Sequence, residues 1–112
     1  MKSKTLEVFT VLRDLSVRKE PMGDEYRKIY EGLEETGTLD ADYAENLGDR
    51  NGYALAKNAD VLSFKDCCTV LTFLLRAEHW TPGAFNDALQ SGSIHRLLKR
   101  AVEVLKDKEE KR

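Results

Sequence analysis

One stretch decides the fold: SFKDCCTVLTFLLRAEHW, residues 63–80. From Phe64 to Leu75 its apolar side chains occupy nearly every side of a helix rather than a single stripe, which is typical of a helix buried all round. Ser63 and Asp66 have the spacing of an N-terminal capping box, with Asp in place of the commoner Glu. We therefore predict a buried central helix over about residues 64–79, around which the rest of the chain packs.

The chain before this stretch also shows the apolar spacing of helices. Residues 5–17 carry apolar side chains at intervals of three and four, and this segment must stop by Glu20-Pro21 because proline excludes its predecessor from the helical region. Asp24 is a candidate N-cap for a second helix up to Glu35, which Gly37 would end. We expect two helices here.

Residues 38–62 carry the weakest pattern in the chain. Asp40 could cap a short helix ending at Leu47-Gly48, and residues 49–52 have strong turn chemistry. Residues 53–58 are compatible either with another short helix or with irregular structure. The sequence therefore predicts either five or six helices in total.

The chain after the central stretch predicts a C-terminal helical hairpin, 82–91/94–105. Thr81-Pro82 has the pattern of an N-cap followed by proline at the first helical position, and Ser93 is a candidate cap for the last helix. Residues 106–112, KDKEEKR, contain no apolar anchor, so we expect this tail to fray.

The predicted fold class is all-α: a compact single-domain bundle of five to six helices over residues 1–112. No segment alternates with period two for long enough to predict a strand. The role of residues 1–20 stays open, because an amphipathic helix at this position could pack into the core or form a dimer interface. The chain is expected to be a monomer or a small homo-oligomer.

Composition and cysteine usage narrow the class of protein. The net charge of −2 gives no overall attraction to nucleic acid, and the longest apolar run, Cys67 to Ala77, is shorter than the ~20 residues that a membrane span needs. Cys67 and Cys68 are adjacent, so they form no disulfide framework. We expect a cytoplasmic protein that does not act at a membrane.

The sequence contains no motif that favours an enzyme. It has no G-x-S-x-G elbow, no Walker loop and no G-x-G-x-x-G. Glu78 and His79 are consecutive on the predicted helix, so their side chains diverge by about 100°. Cys68 and His79 are about 16 Å apart along the same helix and cannot share one metal ion. We predict no catalytic residue, no cofactor and no metal.

The stretch LLRAEHWTPGAFNDALQSGSIHRLLKR, residues 74–100, resembles the C-terminal part of a family of short uncharacterised bacterial proteins, classified as a domain of unknown function. Residues 24–48 resemble it more loosely. The resemblance implies a compact helical fold in bacterial proteins, common in gut Firmicutes and often encoded near mobile elements, and it supplies no activity. It rests on Arg76, Glu78, Trp80, Gly83, Ser91-Gly92 and the run from Ile94 to Arg100.

Two surfaces are candidates for binding a protein partner of unknown identity. Trp80 lies between two predicted helices, where it either packs over their corner or lines a recognition groove with Phe85. Residues 20–60 carry 11 acidic and 4 basic side chains, which favours a partner with a basic patch or complementarity within the chain. Within this acidic region we select Glu34, Asp40 and Asp42. The preferred function is a small non-enzymatic protein-interaction or accessory module.

The alternative is a DNA-binding protein of helix-turn-helix type. Residues 84–103 match such a frame at Ala88, Gly92 and Leu98, which would let the two helices of the hairpin cross. The second helix would then present basic side chains to phosphates and base edges. These candidate contacts are His95, Arg96, Lys99 and Arg100.

Overall fold

A computed structural model of the chain describes residues 4–17 and 24–110. In these ranges the chain forms seven α-helices, one short 3₁₀ helix and no strand, which confirms the all-α fold class. The count exceeds the predicted five to six because two short helices both form between residues 38 and 62. The helices are α1 (Lys4–Leu15), α2 (Glu25–Glu35), α3 (Tyr43–Leu47), α4 (Gly52–Lys57), α5 (Phe64–Trp80), α6 (Ala84–Gln90) and α7 (Ser93–Glu110), with the 3₁₀ helix at Ala59–Val61.

Helix α5 is the buried centre that the sequence predicts. It contacts α2, α3, α4, α6 and α7, and its side chains at nine positions are buried. The Ser63 hydroxyl accepts a hydrogen bond from the Asp66 N–H at 3.1 Å, as expected for the N-cap. The Asp66 carboxylate pairs with Arg50 at 3.4 Å across the surface. The Ser63 half of the capping box is therefore formed, and α5 begins at Phe64 as predicted.

Helix α7 is the second core helix, and α1 packs along it. Its apolar stripe is buried from Ile94 to Val102, and the helix contacts α1, α4, α5, α6 and the 3₁₀ helix. Phe9 of α1 is buried and lies against Phe64, with ring centroids 5.3 Å apart. One face of α1 thus belongs to the core. The predicted stop at Glu20-Pro21 lies outside the described residues.

Two predicted helix boundaries need correction. Helix α6 begins at Ala84 rather than at Pro82, because the Glu78 carboxylate at the end of α5 accepts the Gly83 N–H at 2.7 and 3.0 Å. Gly83 has a left-handed φ of +94°, which glycine adopts without steric cost, so Thr81 and Pro82 belong to the connection.

The last helix continues to Glu110, beyond the predicted end at Leu105. The expected frayed tail is therefore helical as far as the structure describes it. Lysine and glutamate have high intrinsic helix propensity and need no apolar contact to extend an existing helix.

The connection between α2 and α3 is attached to α5 through Asp40. Its carboxylate accepts hydrogen bonds from Thr69 Oγ1 at 2.7 Å, Asn46 Nδ2 at 2.8 Å and the Asp42 N–H at 3.0 Å. Its own N–H donates to Thr72 Oγ1 at 3.0 Å. The sequence predicts Asp40 as the cap of the next helix, but the residue before α3 is Asp42. The two threonines that interrupt the apolar surface of α5 are thus both bonded to this connection.

The Asp40 carboxylate is ionised more readily than a free aspartate. Burial opposes ionisation and is the largest single influence, but the hydrogen bonds from Asn46, Thr69 and Asp42 together lower the pKa below its usual value. The network therefore favours the charged form.

We expect Asp40→Ala to lower the free energy of unfolding by about 1–3 kcal/mol, because three donors around the carboxylate lose their acceptor. Urea denaturation followed by circular dichroism measures this loss. Asp42→Ala is the matched control, since Asp42 is exposed and its side chain makes no capping hydrogen bond. Equal effects of the two substitutions would contradict the assigned role of Asp40.

The stabilisation by Asp40 should also depend on pH. Because the folded-state pKa is lowered, the contribution is fully present above the unfolded-state pKa of about 3.9 and is lost as the pH falls through the folded-state value. The difference in unfolding free energy between the wild type and Asp40→Ala should therefore be constant near neutrality and shrink in acid. A difference that grows on acidification would contradict this sign.

Candidate protein-interaction surface

The acidic residues selected from the sequence lie in different environments. Glu34 on α2 and Asp42 before α3 are exposed, and neither forms an ion pair with the described residues. Asp40 is half-buried, and its carboxylate is occupied by the hydrogen bonds to Thr69 and Asn46. Glu34 and Asp42 are thus available at the surface, whereas the carboxylate of Asp40 serves the fold.

Trp80 and Phe85 are not brought together as a groove. Trp80 is 75% exposed, and its ring centroid lies 5.4 Å from that of its neighbour His79. It therefore does not pack over the corner between α5 and α6. Phe85 is only 5% exposed, and its ring forms an edge-to-face pair with that of Tyr26, with ring centroids 5.2 Å apart. Tyr26 also donates from its hydroxyl to the Leu75 carbonyl at 3.1 Å. The corner is filled by a tyrosine from α2, which the sequence pattern could not show.

Two of the four basic residues of the predicted DNA contact are held within the fold. His95 Nδ1 lies 3.1 Å from Ser16 Oγ and 3.3 Å from the Arg13 carbonyl oxygen. Arg100 Nε donates to the Leu62 carbonyl at 2.8 Å. Arg96 and Lys99 are exposed. They border a cavity of about 190 Å³ that Asp60 and Glu103 also line, so its charge is mixed.

A groove between α1 and α2 exposes apolar surface to solvent. It has a volume of about 380 Å³ and is open along its length. Its floor is aliphatic, and Val11 in that floor is 65% exposed. The lining residues are Glu7, Val8, Val11, Leu12, Leu15, Lys28, Glu31, Gly32 and Glu35.

Gly32 allows the side chains of α1 to pack closely against α2. A Cβ atom at this position would lie 2.7 Å from Leu12 Cδ1 and 3.2 Å from Val8 Cγ1. Any other residue would require the Leu12 side chain to move or α1 to shift away from α2. The absent side chain also leaves helix backbone as the wall of the groove on the α2 side.

The rim of the groove is charged. Glu35 pairs with Lys4 at 2.8 Å, and this hydrogen bond raises the pKa of the lysine. Lys28 pairs with Asp24 at 3.0 Å, and its hydrogen bond is the main reason that the pKa of Asp24 is lowered. Glu7 forms no ion pair with the described residues. The side chains at the rim thus have more carboxylates than ammonium groups.

Two residues in the sequence are unusual at their positions and could have indicated this groove, although neither belongs to the surfaces predicted from the sequence. Val11 lies off the buried stripe of α1, where a polar residue is usual for a surface helix. Gly32 lies in the middle of α2, where glycine costs about 1 kcal/mol relative to alanine and indicates close packing. Neither residue alone reveals that the two helices are partners.

Other chemistry is sparse in the part of the chain that the structure describes. No group of three or more His, Cys, Asp or Glu side chains there could hold a metal ion. Cys67 and Cys68 are buried in α5, and burial raises the pKa of each thiol to about 12. None of the described helices is both long and apolar enough to cross a membrane.

We expect Trp80→Ala to change the unfolding free energy by less than about 0.5 kcal/mol, because an exposed ring contributes little to packing. Phe85→Ala should lower it by about 3–5 kcal/mol, because it empties a buried site beside Tyr26. Urea denaturation of both variants tests the pair. A large loss for Trp80→Ala would restore the packed-corner interpretation.

Comparison with known proteins identifies the family. The match to a family of unknown function, DUF6508, spans residues 15–107, which includes α2 to α6 and most of α7, whereas only Leu15 of α1 falls within it. It extends well beyond the stretch 74–100 that carries the sequence resemblance. No curated protein and no solved structure matches the chain. The chain therefore belongs to DUF6508, a family of unknown function.

Proposed function

We propose that this protein is a non-enzymatic interaction module that binds a protein partner in the groove between α1 and α2. The observation that carries the proposal is the groove itself, an open apolar surface of about 380 Å³ whose floor exposes Val11. Apolar surface held open to water is unfavourable, and a contiguous patch of it with a polar rim is typical of an interaction site.

The lining of the groove favours a protein over a small molecule. Small-molecule sites are concave and contain a few polar groups placed to orient the ligand. Here the floor is aliphatic, and the charged side chains of Glu7, Glu31 and Glu35 stand at the exposed rim. The lining contains no histidine, cysteine or serine, so it offers no Ser–His or Cys–His pair for nucleophilic catalysis.

Binding of DNA is the second candidate, supported by the exposed side chains of Arg96 and Lys99 on α7. It is the weaker proposal because His95 and Arg100 form hydrogen bonds within the fold, and because α7 is packed against five other elements. A recognition helix must protrude far enough to enter the major groove.

Site-specific photo-cross-linking tests the groove. We expect p-benzoylphenylalanine in place of Val11 to give a discrete cross-linked protein in the native host, because the reactive ketone would lie within the interface. The matched control places the same residue at Val61, which is 74% exposed on the 3₁₀ helix, outside the groove.

The result at Val61 decides how an adduct is interpreted. An adduct specific to Val11 supports the groove as a protein-binding site. The absence of an adduct at Val11, or the same set of adducts at both positions, would contradict it.

A further inference from the structure

We infer that the partner segment is an amphipathic helix with a leucine-rich face flanked by lysine or arginine. This inference rests on the proposed function, since it names the chemistry of what the α1–α2 groove binds. It follows from the shape of the groove and from the charges at its rim.

The shape of the groove fits a helix. On α1 the lining runs from Glu7 to Leu15 and on α2 from Lys28 to Glu35, so the ends of the two walls are eight and seven residues apart. At 1.5 Å per residue these lengths are about 10–12 Å, or about two helical turns. The helices are antiparallel, because Lys4 meets Glu35 at one end and Leu12 meets Gly32 further along.

A third helix laid along this pair would complete a layer of three. Apolar side chains at i, i+3 or i+4, and i+7 on such a helix would reach the floor at Val8, Val11 and Leu15. An extended peptide is a poorer match, because both walls are helices whose backbone hydrogen bonds are already satisfied, and no strand edge is present among the described residues.

The charges at the rim select a basic partner. Three lining residues are carboxylates, and the one lining cation is Lys28. Glu35 pairs with Lys4 at 2.8 Å and Lys28 pairs with Asp24 at 3.0 Å, which leaves Glu7 and Glu31 to attract a charged partner. The Glu31 carboxylate has only a distant ion pair, 3.8 Å from Arg27, between two exposed side chains that can exchange partners with little loss. Basic flanks on the partner would therefore find carboxylates on both sides of the groove.

Synthetic helical peptides test this chemistry directly. The first peptide carries leucine at i, i+3, i+4 and i+7 with lysine on the flanks; the second replaces each lysine with glutamate; the third keeps the lysine peptide's composition but disperses its leucines. Fluorescence anisotropy of the labelled peptides is measured with the full chain at about 50 and about 200 mM salt. We expect binding of the first peptide only, weakened by salt.

Variants of the protein locate the binding site. Val11→Asp and the double variant Glu7→Lys/Glu31→Lys should each weaken binding of the lysine peptide by about tenfold or more. The controls are Val61→Asp and Glu45→Lys/Asp49→Lys, which make similar chemical changes at exposed positions outside the groove. They should leave the affinity within about twofold of the wild type. All the substituted positions are exposed, and thermal unfolding checks that each variant is folded.

Equal binding of the glutamate peptide or of the dispersed-leucine peptide would overturn the inference, as would equal weakening by groove and control variants. No binding of the lysine peptide would overturn it too. The two proposals fail separately: a cross-link specific to Val11 without peptide binding leaves the groove as a protein site and rejects the basic helix as its ligand.

Discussion

Helix α5 is buried on nearly every side, and the arrangement of the other helices follows from the need to cover it. A 17-residue helix with an apolar surface all round is stable in water only when other elements exclude solvent from it. Helices α2, α3, α4, α6 and α7 pack against α5, and α1 also contacts it through the rings of Phe9 and Phe64. The short helices α3 and α4 are part of this cover, which explains why weakly patterned segments are ordered as helices.

The two buried threonines of α5 impose a second requirement, because their hydroxyl groups need hydrogen-bond partners. Thr69 and Thr72 lie in the buried surface of α5, where an unpaired hydroxyl would cost free energy. Thr69 donates to Asp40, and Thr72 accepts from the Asp40 N–H while donating to the Cys68 carbonyl. The α2–α3 connection is therefore held at one place on α5 by hydrogen bonds, which are more directional than apolar contacts. This positions α2, and with it one wall of the groove.

The features that the sequence predicts correctly depend on local chemistry. The spacing of apolar residues locates five of the helices, and Ser63 and Gly37 mark the start of α5 and the end of α2 as expected. The misplaced features depend on contacts that the pattern does not contain. Pro82 has the pattern of a helix start, but the Gly83 N–H donates a hydrogen bond to the Glu78 carboxylate and α6 begins two residues later, at Ala84. Tyr26 fills the corner predicted for Trp80. The groove could be predicted only if the contact of Gly32 with Leu12 were known, and the sequence pattern does not contain that contact.

The adjacent cysteines in α5 have a consequence for how the molecule responds to its surroundings. Thiols attack electrophiles and oxidants as thiolates, and a pKa of about 12 leaves Cys67 and Cys68 almost wholly protonated at neutral pH. Both are also shielded by the helices that cover α5. Cys67 is 0% exposed, so reagents reach it only when that cover opens. The alkylation rate of Cys67 in the native state therefore reports how often the helices that cover α5 separate.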